Sequence, residues 1–187
     1  ALGNNAGGAI TTGNDNTVIG SNALATVTTG TSNVAVGRSA LTNSTASANT
    51  AVGYNALNAN TNGTDNVAIG YNALDANTTG DKHVAVGLSA LSASTTSDSN
   101  TAIGYQALLL NTTGGSNTAL GGNALDANTT ASNNTAIGKS SLGNNSTGGN
   151  NVGCGWGSLG QNSTASNNTA VGYNCLGANT TGTELTA

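Results

Sequence analysis

The sequence contains no proline, methionine or phenylalanine, and only 5% of its 187 residues carry a charge. Typical soluble domains contain about 25% charged residues, so this is not the composition of an ordinary globular protein. Disordered chains of low hydrophobicity usually have a high net charge. This chain has a net charge of only −4, and 36% of its residues are hydrophobic. The composition therefore indicates an ordered chain of unusual architecture.

Basic residues are also scarce, since the chain has only Arg38, Lys82 and Lys139. Nucleic-acid binding depends on clusters of Lys and Arg that neutralise phosphates. No such cluster is present, so we expect no nucleic-acid partner. No apolar run approaches the roughly 18 residues of a transmembrane helix, and we expect no membrane span in this segment.

One glycine recurs along the whole chain and marks a repeat. Successive copies are 17 residues apart, except for one interval of 16 that we attribute to a residue missing between Leu41 and Asn43. The marker glycines are Gly3, Gly20, Gly37, Gly53, Gly70, Gly87, Gly104, Gly121, Gly138, Gly155 and Gly172. Repeats of this kind indicate an array of stacked units rather than a globular domain.

The repeating unit is clearest between Asn66, defined as position 1, and Lys82, position 17, with the marker glycine at position 5. Seventeen residues are too few for two packed helices, and Asn, Thr and Gly are poor helix formers. Positions 2 to 4, such as Val67-Ala68-Ile69, are typical of a short strand. The segment Asn77–Gly80 is typical of a turn. Each unit is therefore predicted to form one coil of a β-solenoid.

The predicted fold is all-β, a parallel β-solenoid (β-roll) of eleven 17-residue coils without α-helices. Residues 1–187 form a single array, cut in mid-repeat at both ends, and we expect it to be part of a longer fibre. At the inter-strand spacing of about 4.8 Å, eleven coils would extend over roughly 50 Å.

Strand positions 3 and 4 indicate self-association. They point to opposite faces of a strand, yet position 3 is nearly always alanine and position 4 is aliphatic or cysteine. A strand that is apolar on both faces is expected to be buried on both. We therefore expect parallel copies of the chain to pack together. The alternative is a thicker monomeric coil that buries both faces itself.

The strings Asn66–Gly70, Asn100–Gly104 and Asn134–Gly138 resemble the head repeats of YadA-like trimeric autotransporter adhesins. The longer string Asn100–Leu108, closed by Asn111–Gly114, is similar to repeats of phage tail-fibre-like proteins. The resemblance covers essentially the whole chain. It implies a left-handed β-roll, a homotrimer, a location at the cell or virion surface, and a structural or adhesive role. End-to-end stacking into a filament is a further expectation.

Position 6 carries all of the aromatic residues. These are Tyr54, Tyr71, Tyr105, Trp156 and Tyr173. The same position also accepts Arg38 and Lys139, so its side chains must reach solvent. A stripe of this kind could bind carbohydrate or a host surface. The alternative, which we favour, is that the rings simply pack over the glycine corner.

Seven Asn-x-Thr triplets recur at positions 12 to 14 of the unit and match the N-glycosylation acceptor pattern of secreted proteins. Their asparagines are Asn43, Asn77, Asn111, Asn128, Asn145, Asn162 and Asn179. The alternative is a turn motif copied many times, in which Asn and Thr bond to their own backbone.

No pattern indicates catalysis, a cofactor or a metal. Cys154 and Cys175 lie in different positions of the coil and are predicted to be small packing residues. His83 is interpreted as a turn residue. Position 10 carries two acidic residues, Asp75 and Asp126, which lie three coils apart. This distance is too large for a catalytic pair of carboxylates, which argues against an enzyme built on a β-helix scaffold. The remaining alternative is an ice-binding solenoid, because Thr78-Thr79 and its equivalents could form ranks.

Overall fold

A computed structural model describes all 187 residues of the chain. It contains ten three-residue β-strands and no helix, which confirms the predicted parallel β-solenoid. The strands are β1 (Thr17–Ile19), β2 (Val34–Val36), β3 (Thr50–Val52), β4 (Val67–Ile69), β5 (Val84–Val86), β6 (Thr101–Ile103), β7 (Thr118–Leu120), β8 (Thr135–Ile137), β9 (Val152–Cys154) and β10 (Thr169–Val171). They form one parallel sheet in sequence order. Single bridges at Leu2 and Thr186 extend this ladder.

The sheet pairs each position of a coil with the same position of the next coil. Ala68, for example, pairs with Ala85, and the flanking residues of β4 and β5 pair in the same way. The register is unbroken across the 16-residue interval, where Ala35 pairs with Ala51. Equivalent residues therefore form columns that run along the solenoid axis.

The structure places the missing residue of the short interval after Ser44, and not between Leu41 and Asn43 as predicted. The Asn60 side-chain amide donates to Ser44 Oγ at 3.2 Å, and both residues are fully buried. Ser44 therefore takes position 12, and Asn43 lies at the exposed position before it. The loss falls in a surface turn, so the columns on either side stay aligned.

The core consists of alanine columns at positions 3 and 8 and a leucine column at position 9. In one coil, Ala68, Ala73 and Leu74 have no exposed surface. The fully buried leucines are Leu24, Leu41, Leu57, Leu74, Leu91, Leu108, Leu125, Leu142 and Leu159. Small alanines bring the opposing walls of the coil close together. One leucine per coil, worth about 1.5–3 kcal/mol when buried, then fills the space between them.

The marker glycines form an aligned column at the corner after each strand. Gly70 has a φ of 138°, and a Cβ atom built on it would lie 2.7 Å from the carbonyl carbon of Gly87 in the next coil. Such a positive φ is unfavourable for residues with a side chain. Both the conformation and the close stacking therefore require glycine here.

Each coil also holds non-glycine residues in the left-handed region. In the coil from Asn66, these are Asn72 (φ 51°), Leu74 (φ 52°) and Lys82 (φ 59°). A residue with a Cβ pays roughly 1–2 kcal/mol for this conformation. For Leu74 the burial of the whole side chain offsets the cost, because the left-handed turn directs it into the core.

Two columns of buried asparagine connect the coils from inside. At position 1, Asn117 Oδ1 accepts a hydrogen bond from the Asn134 amide at 3.0 Å, while Asn117 Nδ2 donates to the Ala131 carbonyl at 2.8 Å. At position 12, Asn128 Nδ2 donates to Asn111 Oδ1 at 2.7 Å and to the same Ala131 carbonyl at 3.0 Å. Each side chain thus joins adjacent coils and closes the turn of its own coil.

His83, which the sequence analysis interpreted as a turn residue, replaces asparagine at position 1 directly before β5 and is fully buried. Its Nδ1 accepts a hydrogen bond from the Asn100 amide at 3.1 Å, and its Nε2 donates to the Ser97 carbonyl at 2.6 Å. This arrangement requires a neutral ring with the proton on Nε2. Desolvation by burial lowers the pKa of His83, outweighing the opposing effects of its hydrogen bonds and the nearby aspartates.

The asparagine ladder should carry measurable stability. In an Asn117→Ala variant, the buried Asn134 amide loses its acceptor, and we expect a loss of about 1–3 kcal/mol in the free energy of unfolding. The matched control is Thr118→Val, on the exposed strand face, where Val84 occupies the equivalent place. We expect that change to stay within about 0.5 kcal/mol. Urea unfolding followed by circular dichroism measures both, and equal stability of the two variants would contradict the assignment.

His83 should make the stability depend on pH. Because its pKa is lower in the folded chain than the ordinary value of 6.5, the unfolded chain binds the proton first. The stability contributed by neutral His83 is then present above pH 6.5 and decreases as the pH falls, by at most about 1.4 kcal/mol per pH unit.

The comparison for this effect is a His83→Asn variant, which restores the usual residue of the ladder. Both proteins share Asp75 and Asp126, whose pKa values are raised by burial, so their contribution cancels in the difference. Unfolding free energies at pH 8 and pH 5.5 should diverge between the two proteins. Parallel pH profiles would show that His83 is not held neutral in the core.

Candidate functional site

The outer strand face consists of the side chains at positions 2 and 4 of strands β1 to β10. The alanine between them points inward and is buried, so both neighbours point outward. Ile69, Ile103 and Leu120 are 39%, 37% and 44% exposed. The chain therefore does not bury both faces of its strands, and the alternative of a thicker monomeric coil is wrong.

No residue of the outer strand face is charged. Position 2 is threonine or valine, and position 4 is isoleucine, valine, leucine or cysteine. Charged side chains occupy positions 6, 10, 16 and 17 instead; they are Arg38, Lys139, Asp75, Asp126, Asp15, Asp65, Asp81, Asp98, Lys82 and Glu184. The charges thus flank the face or lie on other sides of the coil.

The aromatic residues at position 6 form a partly stacked, solvent-exposed column. The rings of Tyr54 and Tyr71 stack with centroids 5.1 Å apart, and those of Trp156 and Tyr173 with centroids 5.0 Å apart. The Arg38 guanidinium lies 5.6 Å from the Tyr54 ring centroid. These side chains thus pack on one another, and the stacking of Trp156 on Tyr173 covers only one face of the indole. Tyr105 is separated from its nearest aromatic neighbour by Leu88.

Five of the seven predicted glycosylation sites point into the coil. The side chains of Asn77, Asn111, Asn128, Asn145 and Asn162 are fully buried, and their Nδ2 atoms donate hydrogen bonds inside the solenoid. The folded coil has no room for a glycan on these nitrogens. Asn179 is partly buried with Nδ2 bonded to Asn162 and Gly182, and only Asn43 is exposed. The repeated triplet is thus an internal hydrogen-bonding motif.

The Thr pairs of the turn are not equivalent to one another. Thr78 Oγ1 donates to the Thr95 carbonyl at 3.0 Å, and the same bond recurs in neighbouring coils, so this hydroxyl column is used to join coils. Thr79 is exposed. A second threonine column lies at position 2 of the outer strand face, with Thr101, Thr118 and Thr135 in adjacent strands.

A groove lies on the side of the solenoid, away from the outer strand face. Its volume is about 410 Å³, and its lining includes Trp156, Gln161, Asn144 and Asp126 above a row of glycines. Of these four residues, the sequence analysis had considered Trp156 as part of the aromatic stripe and Asp126 only as one of two separated acids at position 10. The detectable signal was the run of glycine at position 10 in three consecutive coils, at Gly143, Gly160 and Gly177.

Among the remaining reactive side chains, Asp81 and Asp98 share position 16 in adjacent coils, and Asp98 Oδ1 accepts a hydrogen bond from the Asp81 amide at 2.8 Å. Cys154 is half-buried on the outer strand face, and Cys175 packs against the end of the core; both are free thiols. No group of three His, Cys, Asp or Glu side chains lies close enough together to hold a metal ion. No helix of the chain has the length and apolar character needed to cross a membrane.

Comparisons with protein-family models, with curated proteins and with solved structures found no match. The resemblance to adhesin and tail-fibre repeats therefore depends on the sequence motifs alone. The function has to be argued from the outer strand face, the aromatic column and the groove.

Stacking between the tyrosines can be separated from ligand binding by a double-mutant cycle. Tyr54→Ser, Tyr71→Ser and the double variant place serine at position 6, where Ser21 occurs naturally. If the rings support each other, the cycle yields a coupling of about 0.5–1.5 kcal/mol in unfolding free energy. Additive effects of the two changes would show that the rings contribute nothing to each other.

Proposed function

We propose that this chain is a structural and adhesive segment of an extracellular fibre, located at a cell or virion surface. Parallel copies associate through the outer strand face, with three copies around a common axis as the favoured arrangement. The segment is a rigid spacer and a display surface, and it catalyses no reaction. The observation that supports this proposal most strongly is the uncharged and uncovered outer strand face, with its aliphatic column at position 4 that only Cys154 interrupts.

The size of the face favours association. Ten strands about 4.8 Å apart and three residues wide give a strip of roughly 450 Å². Contiguous apolar patches of this size on a soluble protein commonly mark interaction sites.

The regular spacing favours a second copy of the chain as the partner. The columns of Ile, Val and Leu at position 4 repeat at the stacking distance of the coils. Two such faces interdigitate without gaps only when their axes are parallel and their rungs are in step, as in tightly packed pairs of β-sheets. A globular partner would lack this periodicity, and association along a common axis is the geometry of a fibre.

Self-association can be tested with one charge placed on the face and the same charge placed elsewhere. Ile103→Lys puts an ammonium group in the middle of the outer strand face, where burial against a second copy is costly. We expect it to convert the oligomer into a monomer without loss of the β-sheet signal. Light scattering coupled to gel filtration gives the mass, and circular dichroism reports the fold.

The matched control is Ser99→Lys, at exposed position 17, where Lys82 occurs naturally in the preceding coil. This variant should keep the mass of the unmodified chain. A wild-type protein that remains monomeric up to high concentration would refute the association. So would an Ile103→Lys variant with unchanged oligomeric mass.

Ice binding is the second candidate, favoured by the threonine column of the outer strand face. Thr101, Thr118 and Thr135 lie on adjacent strands of a regular parallel sheet, with aliphatic residues beside them. If this face binds ice, wild-type protein produces thermal hysteresis and Thr118→Lys removes it. If the fibre assignment is correct, neither protein changes the freezing or melting of ice crystals.

A further inference from the structure

The groove beside Trp156 is the only concavity found on the chain, and it crosses several coils. Its volume of about 410 Å³ is within the range of roughly 300–1,000 Å³ typical of small-molecule sites. One wall carries the Trp156 ring, which is 48% exposed. Facing residues include Asn144 and Gln161, whose side chains are joined by a hydrogen bond of 3.0 Å.

The other coils show which residues each position ordinarily carries. Several residues that line the groove differ from those residues. Trp156 is the single tryptophan of the chain, and Gly157 is the one glycine at position 7, where other coils have Asn, Ser or Gln. Position 10 is glycine in three consecutive coils at Gly143, Gly160 and Gly177, and otherwise only at Gly8, whereas Asn58 and Asp126 occupy it in other coils.

Position 11 departs in the same place. Most coils carry a small residue there, such as Ala59, Ala76 or Ala127, but the groove has Asn144 and Gln161. Asn43 shows that an amide at position 11 also occurs elsewhere, but glycine at position 10 followed by an amide at position 11 occurs only in two adjacent coils, as Gly143-Asn144 and Gly160-Gln161.

The chemistry of the lining is that of sugar recognition. Trp156 stacks on Tyr173 at 11° between planes, which fixes the orientation of an exposed indole. A flat aromatic ring offers apolar area to the C–H face of a pyranose. The amides of Asn144, Gln161 and Asn174 each supply both donors and acceptors, which match hydroxyl groups. The glycine floor allows a ligand to approach the backbone closely.

The charges around the groove select against anionic ligands. No Lys or Arg lines it, and Asp126 closes one end, where its carboxyl accepts a hydrogen bond from Asn123 Nδ2 at 3.2 Å. An acidic sugar or a phosphate would meet this carboxylate as the only charged residue of the lining, since Lys139 adjoins the lining residue Ser140 without itself lining the groove. An uncharged sugar would meet an additional acceptor for its hydroxyl groups.

We infer that the Trp156 groove is a binding site for an uncharged saccharide, with one pyranose stacked on Trp156 and its hydroxyls bonded to the amide wall. This deepens the adhesive part of the proposed function by naming the class of ligand. The inferred site consists of residues that lie outside the outer strand face. The hypothesis of sugar binding and the hypothesis of self-association can therefore be refuted independently.

Trp156 is a built-in reporter, because its fluorescence is the only tryptophan signal of the chain. The full chain is titrated with maltohexaose, cellohexaose, mannohexaose and N-acetylchitohexaose, and with polygalacturonate as the acidic probe. We expect a saturable change in emission with at least one neutral probe and none with polygalacturonate. Saturation-transfer NMR on the same mixtures identifies the sugar protons that contact the protein.

Two variants block the groove in different ways. Gly160→Asn refills the floor with the residue found at Asn58, and Trp156→Ser removes the stacking ring in a register where Ser21 occurs. Each should weaken binding by about tenfold or more, the equivalent of losing at least one good contact. The matched controls, Ser92→Asn and Tyr71→Ser, make the same kinds of change in the same registers outside the groove and should leave binding unchanged.

Three results would overturn the inference. The first is the absence of any saturable response or saturation transfer with the four neutral probes at about 10 mM. The second is a Gly160→Asn variant that binds as well as the unmodified chain. The third is stronger binding of polygalacturonate than of any neutral probe. Because Ile103→Lys leaves the groove intact, sugar binding by that monomeric variant separates this test from the test of association.

Discussion

Hydrogen bonds between successive coils are the interaction on which this structure depends. Of 116 backbone hydrogen bonds, only 18 join one strand of the sheet to the next. Many of the others still join adjacent coils, as where the Leu74 amide donates to the Ala90 carbonyl at 3.0 Å and the Thr78 amide to the Thr95 carbonyl at 2.9 Å. The turns are therefore paired as systematically as the strands. A coil on its own would leave these groups unpaired.

This constraint explains why the sequence is so repetitive. A change of length inside a paired column would displace every later bond, so the one deletion is accommodated in the turn after Ser44. Side chains that point inward must fit between identical neighbours, which selects alanine, leucine and asparagine. Variation is concentrated at positions 16 and 17 and at positions 6, 7, 10 and 11, and the side chains of the latter four lie largely outside the core. It is there that the aromatic column and the Trp156 groove arise, so the features proposed to bind a ligand are interruptions of the repeat rather than products of it.

The fold could be predicted from the sequence because periodicity and strand pattern are strong signals. The period, the three-residue strands and the alanine and leucine columns are all apparent from the residue order. Other features depend on conformation that the residue types do not indicate. Leucine at φ 52° is not a residue expected in the left-handed region. His83 and most asparagines of the Asn-x-Thr triplets are polar yet lie inside the coil, where ladder hydrogen bonds satisfy them, and their residue types alone do not indicate this burial. The groove was not predicted because it arises where glycine at position 10 leaves space on the surface of the coil. A residue without a side chain does not by itself indicate a binding site.

Distances between spin labels in equivalent turns test the stacking itself most directly. Labels on cysteines introduced at Thr29, Thr96 and Thr164, with Cys154 and Cys175 replaced by valine and alanine, occupy the same register four and eight coils apart. Stacking at about 4.8 Å per coil predicts separations of roughly 19 Å for the first pair and roughly 38 Å for Thr29 with Thr164, measured by pulsed electron resonance on dilute protein. A separation that does not double from the first pair to the second would contradict the solenoid and every surface argued from it.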